Sequence, residues 1–536
     1  MFCNMLDARD LPDGQRLTTD VCIIGAGAAG ITMALDLIGT GIDVLLLESG
    51  DVKDSREAQD LNAGVVVDER LHPPPGQYRR RRFGGSMNAR ETRCTPIAAF
   101  DLEARSYVPN SGWPITAETL APFYPRALRL CESDDSARLY GRDAEVAQKP
   151  LIDGFDDADP AANFSAATLD RYGHNDDFGS RYADRLRAAG NVCVLLNLTV
   201  TRLQLNPAGT AVGSVLARTL AGSAIVITAN HFVLAAGALE TARLLLANRD
   251  VHPHGIGNDR DNVGRYYLCP LQGFVGGLHL TRPPTAIWYG NRDSEAGVRS
   301  RRRLVLKPAS QDRLKIGSFV ARLRPTRTSE RERALDFLSR GRPMPSKAGV
   351  FGVEFQAEQQ PNPSSRVSMS EDQDALGMPR LLVKWNCNVA DFETVRRGMA
   401  LLADDIQRTD AGNFAYDPST LAGMMTCNGR HGVYQLGTTR MGSDPDSSVV
   451  DAHCRVHGVE NLFVAGPSVF ATSSQGDPML TMVALTLRLT DHLKMLEFKV
   501  APSQYGPAPR PESRPGKRAG SALEVAAQAV VAFPAR

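Results

Sequence analysis

Three glycines near the N-terminus have the spacing of a turn that binds the phosphates of a dinucleotide. They stand as Gly25-x-Gly27-x-x-Gly30. The first glycine permits a tight turn, the second lets the backbone approach a pyrophosphate, and the third lets a helix pack closely on the preceding strand. The N-terminus of that helix would offer unpaired N–H groups and a partial positive charge to the phosphates.

The elements around this turn are those that a dinucleotide site requires. Residues 21–24 form a short apolar run, residues 31–37 have helical periodicity, and Val44–Leu47 is a second apolar run that ends at Glu48. Glu48 follows the first glycine by 23 residues, close to the roughly 20 expected for an acid that binds a ribose hydroxyl. The pattern predicts a βαβ unit with parallel strands. An ordinary tight turn is the alternative.

Other polar motifs are less specific. The loop Phe83-Gly84-Gly85-Ser86-Met87-Asn88 could pass over a bound dinucleotide without side-chain clash, although a plain glycine turn has the same composition. Arginine runs occupy residues 79–82 and 301–303, with Arg299 just before the second. The first run could neutralise phosphate, but such runs are usually solvated, so we predict that both lie on the surface.

Bulk composition excludes several classes of function. The chain has 536 residues, with 61 basic and 60 acidic side chains and a formal net charge of +1. Its length favours two large structural units, and its charge gives no reason to expect nucleic acid or an acidic membrane as partner. No apolar run approaches the roughly 20 residues that span a bilayer, and no secretory signal is evident. We expect a soluble, cytoplasmic protein.

Cysteine and histidine spacing gives no metal site. The nine cysteines are scattered without a C-x-x-C pair, which favours a reduced compartment, with Cys22 and Cys193 as small core residues. His453 and Cys454 are adjacent in sequence and poorly placed to chelate one ion. His431 is of interest because it precedes a glycine-rich segment near the last predicted strand.

Further strands and helices follow along the chain. Strand patterns occupy residues 192–196, 200–205, 224–228, 232–234 and 461–464, and residues 263–389 alternate short strand-like runs with loops, which suggests a mostly antiparallel sheet. Helical patterns occupy residues 117–131, 392–409 and 480–493, and one more leads from residue 237 to residue 246.

Taken together, four stretches resemble the glucose–methanol–choline (GMC) oxidoreductases, FAD enzymes that oxidise alcohols. The resemblance extends over nearly the whole chain, to about residue 496. It is carried by residues 20–50, by the loop 83–88, by residues 105–114 and 361–367, and by the motifs at 437–442, 455–459, 461–468 and 477–481. The third stretch is similar to the bacterial sugar- and pyranose-oxidising branch.

The resemblance implies an α/β fold (α+β, two domains). A Rossmann-like FAD-binding domain would be built from residues 15–105, 189–262 and 429–498, and the last segment would carry the active site. A substrate domain with a mostly antiparallel sheet would comprise residues 263–428, with a cap region at 106–188. We expect residues 499–536 to form a disordered tail.

The same resemblance, together with the glycine turn, predicts the FAD contacts. Val200 would touch the adenine side through its backbone, and Pro478 and Met479 would lie beside the pyrimidine edge of the flavin. The complete predicted set is Gly25, Gly27, Ala28, Gly30, Glu48, Ser49, Gly84, Gly85, Ser86, Asn88, Val200, Ala236, Gly237, Gly466, Pro478 and Met479.

The chain departs from the family at its catalytic positions. The family usually places a histidine base three residues before the Gly-Thr pair and a histidine or asparagine before the Pro-Thr-Leu-Thr-like run; here these positions are Tyr434 and Asp477. An unperturbed tyrosine, with a pKa of about 10, is a poor base at neutral pH. We therefore predict Asp477 as the base, with Tyr434 and Gln435 positioning the hydroxyl. His431 in a reshaped loop is an alternative.

These observations predict an oxidoreductase that transfers hydride from a CH–OH group of a sugar, glycoside or related alcohol to flavin N5. Its electron acceptor could be oxygen, a quinone or a protein. Because the usual histidine is missing, the alternative is a tailoring flavoenzyme with desaturating or non-redox chemistry. A catalytically inert FAD-binding subunit is the third possibility.

Overall fold

The computed structural model describes residues 5–86, 93–132, 151–152, 155, 159–173, 177–282, 287–289, 299–325, 349–419, 421, 423 and 433–498. The strands are β1 Met5–Asp7, β2 Arg16–Ile24, β3 Val44–Leu47, β4 Gly64–Val66, β5 Arg93–Cys94, β6 Phe164–Ser165, β7 Leu169–Tyr172, β8 Val192–Leu196, β9 Thr199–Leu205, β10 Val212–Arg218, β11 Ala224–Leu234, β12 Leu271–Leu280, β13 Trp288–Tyr289, β14 Arg299–Arg302, β15 Leu304–Leu306, β16 Phe319–Pro325, β17 Val350–Ala357, β18 Arg366–Gln373, β19 Pro379–Lys384, β20 Gly412–Ala415 and β21 Leu462–Val464. The helices are α1 Ala28–Leu37, α2 Arg56–Asp60, α3 Ala99–Leu102, α4 Ala117–Leu120, α5 Tyr124–Glu132, α6 Phe178–Arg187, α7 Gly237–Ala247, α8 Pro308–Leu314, α9 Val389–Arg408 and α10 Met479–Phe498.

A sheet with a parallel centre carries the glycine turn. Strands β8, β3, β2, β11 and β21 lie side by side and run parallel. β3 and the second half of β2 are unbroken apolar runs and are fully buried, as expected where helices cover both faces of a parallel sheet. The predicted βαβ unit is present as β2, α1 and β3, and α1 packs on the C-terminal helix α10.

Strand β11 differs from the prediction of two separate runs. It is one strand of 11 residues that pairs with β2 along most of its length. On the side away from β2, its two halves have different neighbours. The first half pairs antiparallel with β10, and the last three residues pair parallel with β21. The polar residues between them therefore stay within one continuous strand.

A second sheet of six strands forms the other large layer, in the order β20-β12-β17-β16-β15-β6. Its described pairs are all antiparallel, so the predicted fold class is confirmed. Its apolar core includes the stacked rings of Phe319 and Phe355, together with Met399 and Leu402 from α9. Two smaller sheets are also present, one with the order β13-β14-β7-β5 and one with the order β18-β19-β4.

Some local predictions were wrong or lie outside the described residues. The single helix expected over residues 117–131 is divided into α4, a 3-10 turn containing Pro122, and α5, because proline lacks the N–H that a continuous helix needs. Cys193, expected to be reduced, is disulfide-bonded. Within the described residues, no helix combines the length and apolar character that a membrane crossing requires. The tail 499–536 lies outside them.

Candidate active site

The three glycines of the turn have distinct structural roles. Gly25 has a φ of +109°, and a Cβ there would lie 2.7 Å from the carbonyl oxygen of Ala235. A Cβ on Gly30 would lie 2.0 Å from the carbonyl oxygen of Gly25, so this position accepts no side chain. Gly27 precedes helix α1 with ordinary extended backbone, and a Cβ there would meet no protein atom within 4 Å. Gly27 therefore faces open space.

The second glycine loop packs directly on this turn. The Gly84 N–H donates to the carbonyl oxygen of Ala26 at 2.9 Å, and a Cβ on Gly85 would lie 3.0 Å from the Cα of Gly27. Both loop glycines have positive φ. Asn88, also predicted in this loop, lies outside the described residues.

One continuous cavity brings most of the predicted cofactor residues together. The N-termini of α1 and α7 both open into it, so two helix dipoles point their positive ends at one space. Gly30 and Gly84 lie behind the lining. The predicted residues that line the cavity are Gly25, Gly27, Ala28, Glu48, Ser49, Gly85, Ser86, Val200, Ala236, Gly237, Gly466, Pro478 and Met479.

The lining fits an FAD. At Gly27, Gly237 and Gly466 an added Cβ would meet no protein atom within 4 Å, so all three leave room along the cavity for a group larger than a side chain. The two helix N-termini supply donors for a diphosphate, and a buried carboxylate, Glu48, stands at the end of β3 for a ribose.

Glu48 is held firmly in place. Its two carboxylate oxygens accept backbone N–H groups from Ala26 and Gly50, each at 2.9 Å. Burial raises the pKa of this group despite those hydrogen bonds. Each carboxylate oxygen has a second lone pair, so the side chain can still accept a hydroxyl from the cavity.

Arg79 and Arg81 of the first arginine run are largely buried, which corrects the surface prediction for them, whereas Arg80 is exposed as predicted. Arg79 and Arg81 both line the cavity and pair with Glu240, at 2.6 and 2.8 Å. Arg243 pairs with the same glutamate at 3.2 Å. Although burial alone would raise the pKa of Glu240, the surrounding arginines hold it well below its ordinary value. Sequence reasoning missed this because Glu240 lies far away along the chain.

The other end of the cavity is lined by Tyr434, Gln435 and Asp477, with one residue that the sequence did not indicate, Arg93. The Arg93 guanidinium forms an ion pair with the Asp477 carboxylate and donates to the Tyr434 hydroxyl at 3.3 Å. The fourth candidate, His431, lies outside the described residues.

The charge states at this end follow from burial and from these contacts. Burial, together with the charge of Asp477, holds the pKa of Tyr434 well above its ordinary value. Burial would lower the pKa of Arg93, but the Asp477 charge prevails and raises it. Arg93 is therefore a fixed cation and Tyr434 a neutral phenol at neutral pH, so Tyr434 cannot be the base.

Asp477 also contacts the six-stranded antiparallel sheet. The Gln356 side-chain amide on β17 donates to the Asp477 carboxylate at 3.4 Å and to the carbonyl oxygen of Gly476 at 3.5 Å. Asp477 lies two residues before α10, which packs on α1, so Asp477 connects this part of the molecule to the antiparallel sheet. No motif around Arg93 or Gln356 signals these contacts, which depend on tertiary packing.

Comparison with known proteins agrees with this geometry. The family described as FAD dependent oxidoreductase matches residues 20–343, and the GMC oxidoreductase family matches residues 361–486. The 6'''-hydroxyparomomycin C oxidase of Streptomyces lividus is 24% identical, over 88% of this chain and 90% of its own length. Paromamine 6'-oxidase of Streptomyces fradiae is 25% identical, over 90% and 92%.

Solved structures share the fold. The crystal structure of pyridoxine 4-oxidase from Mesorbium loti aligns with a TM-score of 0.53 at 20% identity, over 88% of this chain and 99% of that one. The glycine turn, the cavity and the two family matches point to the same conclusion: this chain is an FAD-dependent oxidoreductase and belongs to the GMC family.

Proposed function

We propose that this enzyme oxidises a CH–OH group of a sugar or glycoside. The observation that carries the proposal is the placement of Asp477 and Tyr434 at one end of the cavity whose other end is built for a dinucleotide. The two aminoglycoside oxidases that resemble the chain along most of its length support a sugar-like substrate. We expect this chain to belong to the bacterial sugar-oxidising branch of the family.

A bound FAD would supply the acceptor for the hydride that leaves the substrate carbon. It would be held by the predicted cofactor residues that line the cavity, with Gly27 and Ala28 at the diphosphate and Glu48 at a ribose. Val200 would serve the adenine side, and Pro478 and Met479 the pyrimidine edge of the flavin.

The protein residues would handle the hydroxyl proton. Asp477 accepts it, which converts the carboxylate to the acid as the carbonyl product forms. Tyr434, a neutral phenol, donates a hydrogen bond to the substrate oxygen, and Gln435 lies on the same wall. Arg93 acts as a positioning residue because its ion pair fixes the orientation of the carboxylate. Burial of the site excludes bulk water from this transfer.

Anaerobic reduction of the bound flavin by a panel of sugars and alcohols tests the proposal. Bleaching of the oxidised flavin absorbance by at least one sugar is the expected result. A flavin that stays oxidised against the whole panel would refute it and favour the tailoring chemistry that the missing histidine suggests. Oxygen consumption, compared with reduction of a quinone or a dye acceptor, would then identify the electron acceptor.

A cytoplasmic location is part of the same proposal. Six cysteines among the described residues are free thiols, which supports a reducing compartment, whereas the disulfide at Cys193 opposes it. Cell fractionation with an antibody against the native protein decides the question.

A further inference from the structure

The second arginine run is buried, contrary to the surface prediction, and one of its members contacts the chain just before the proposed base. Residues 301–303 are all 5% exposed or less. Arg303 lies 3.3 Å from the Asp170 carboxylate and donates to the Gln475 side chain at 3.4 Å. Gln475 belongs to residues 472–477, the Asp477 segment, which ends at the proposed base. The run therefore helps to hold this segment in the interior.

The first hydroxyl groups of the Asp477 segment are bound to separate parts of the fold. Trp113 donates its indole N–H to the Thr472 hydroxyl at 2.8 Å, and that hydroxyl donates to the backbone carbonyl of Asp101 at 2.9 Å. The Ser473 hydroxyl accepts the Gln359 N–H at 3.0 Å and donates to the carbonyl oxygen of the same residue at 3.1 Å. The start of the segment is thus attached to α3 and to the chain just after β17.

The third residue of the segment, Ser474, has an unfavourable backbone conformation. Its φ is +54°, in the left-handed region that a residue with a Cβ rarely adopts. The Ser474 hydroxyl donates to one oxygen of the Asp101 carboxylate at 2.5 Å, and the other oxygen accepts the Ser318 hydroxyl. Because such a conformation persists only where the surrounding structure holds it, we attribute its stability to the contact with Asp101.

Asp101 is itself fixed by buried charged neighbours. Arg105 lies 3.7 Å from the Asp101 carboxylate and donates two hydrogen bonds to Glu358, at 2.6 and 2.8 Å. All three side chains belong to residues that are 5% exposed or less. Burial and the charge of Glu358 raise the pKa of Asp101 against the opposing effects of Arg105 and of the two serine hydroxyls. An uncharged side chain of the same shape should therefore be tolerated at this position.

Resting on the proposed function, we propose that Asp101 and Ser474 are positioning residues for the proton acceptor Asp477. Neither lines the cavity, but their hydrogen bond holds the left-handed turn three residues before Asp477. Gln356 and Arg93 then orient the end of the segment. Release of the turn would shift the carboxylate relative to the substrate hydroxyl, and a displacement of about 1 Å can slow a reaction about 100-fold.

Two substitutions of Ser474 separate positioning from stability. Ser474→Ala removes the hydroxyl and keeps the unfavourable φ, so we expect a lower Tm and a fall in kcat of at least tenfold, with KM within threefold. The substrate is the best sugar of the anaerobic panel. Ser474→Gly also lacks the hydroxyl but tolerates this φ, so Tm should recover while kcat stays low. Recovery of kcat together with Tm in Ser474→Gly would overturn the proposal.

A conservative change at Asp101 tests the hydrogen bond itself. In Asp101→Asn the amide oxygen can still accept the Ser474 hydroxyl. The amide N–H group can donate to Ser318, whose own hydroxyl can turn to Gln311 at 3.1 Å. We expect kcat within threefold of the unmodified enzyme, and a loss as large as that of Ser474→Ala would overturn the role of this bond. Ser310→Ala removes a buried hydroxyl elsewhere and should leave kcat unchanged.

Asp477→Asn distinguishes a failure of this proposal from a failure of the base assignment. Residues that act through one group have non-additive effects, so adding Ser474→Ala to Asp477→Asn should lower kcat less than twofold further. A further tenfold fall would overturn the positioning. A nearly fully active Asp477→Asn would refute the base and its positioning together, whereas an impaired Asp477→Asn beside fully active Ser474 variants would refute the positioning alone.

Crystal structures of the holoenzymes decide the positioning without turnover. If no sugar reduces the flavin, the oxidation is refuted, but Ser474→Gly should still show the Asp477 carboxylate displaced by about 1 Å or more, with its contact to Arg93 changed. An Asp477 carboxylate in the same place as in the unmodified holoenzyme would overturn the proposal.

Discussion

Arg93 and Asp477 form a buried ion pair between two segments that lie far apart in sequence. Arg93 begins strand β5, shortly after the glycine loop that packs on the dinucleotide turn, and Asp477 lies two residues before helix α10. The same guanidinium donates to Tyr434. The pair thus fixes both catalytic candidates at the end of the cavity.

Replacement of the carboxylate tests its role as the proton acceptor. In Asp477→Asn the shape is kept but the base is lost, so we expect kcat/KM to fall about 100- to 10,000-fold while flavin stays bound. Tyr434→Phe removes one hydrogen bond and no charge, and we expect a fall of about tenfold. Anaerobic flavin reduction measures both variants. An Asp477→Asn enzyme with nearly full activity would assign the proton to another group.

Removal of the arginine should change the pH dependence of the reaction. In Arg93→Gln the Asp477 carboxylate loses its cation and keeps the long hydrogen bond from Gln356 and a hydrogen bond with Tyr434, so proton uptake by a carboxylate there becomes easier at acidic pH. We expect the acidic limb of the kcat/KM profile to move to higher pH, with loss of activity near neutrality. Arg93→Lys should restore much of the original profile, since the positive charge returns. An unchanged limb in Arg93→Gln would limit Arg93 to a structural role.

Local sequence patterns predicted the parallel part of the sheet that carries the glycine turn well. The turn at Gly25 is flanked by runs of consistent periodicity, so β3 has the predicted bounds and β2 and α1 extend only a few residues beyond the predicted patterns. The antiparallel sheet was likewise expected from its short alternating runs. In both cases each element is indicated by the periodicity of its own short run of residues.

The charged interior was not predictable in the same way. An arginine run has the same local appearance on a surface and in a buried network, and its burial depends on partners such as Glu240 and Asp170 that are remote in sequence. Arg93 illustrates the limit further, because nothing near it in the sequence indicates that Asp477 is its partner. Such residues become recognisable only when the strands that carry them are paired.

Two glycines of the turn should respond in opposite ways to the same substitution. Gly27→Ala adds a methyl group that meets no protein atom, so we expect an unchanged Tm of the apoprotein but FAD binding weakened at least tenfold, because the methyl occupies the approach of the diphosphate. Gly30→Ala places the methyl against the Gly25 carbonyl oxygen, which should cost about 3 kcal/mol or more of stability. Thermal unfolding and FAD titration measure the two effects. Equal FAD affinity in Gly27→Ala would place the cofactor elsewhere.

Glu240, the buried partner of Arg79 and Arg81, should contribute to the free energy of unfolding over a defined pH range. Arg79, Arg81 and Arg243 depress the pKa of Glu240 in the folded state, so its contribution is present above the unfolded value of about 4.3 and is lost as pH falls toward the folded value. We expect Glu240→Gln to lose about 3 kcal/mol near pH 7, because three buried cations lose their shared anion.

Urea unfolding from pH 7 down to pH 3.5 measures this difference, which should shrink at the acidic end. Glu393→Gln is the matched control, since Glu393 also contacts two arginines, Arg396 and Arg397, but on the surface. Solvent screens that cluster, so its loss should be small at every pH. Equal losses in the two variants would mean that the buried network contributes no more than an ordinary surface pair, and that Arg79 and Arg81 are held at the cavity by other contacts.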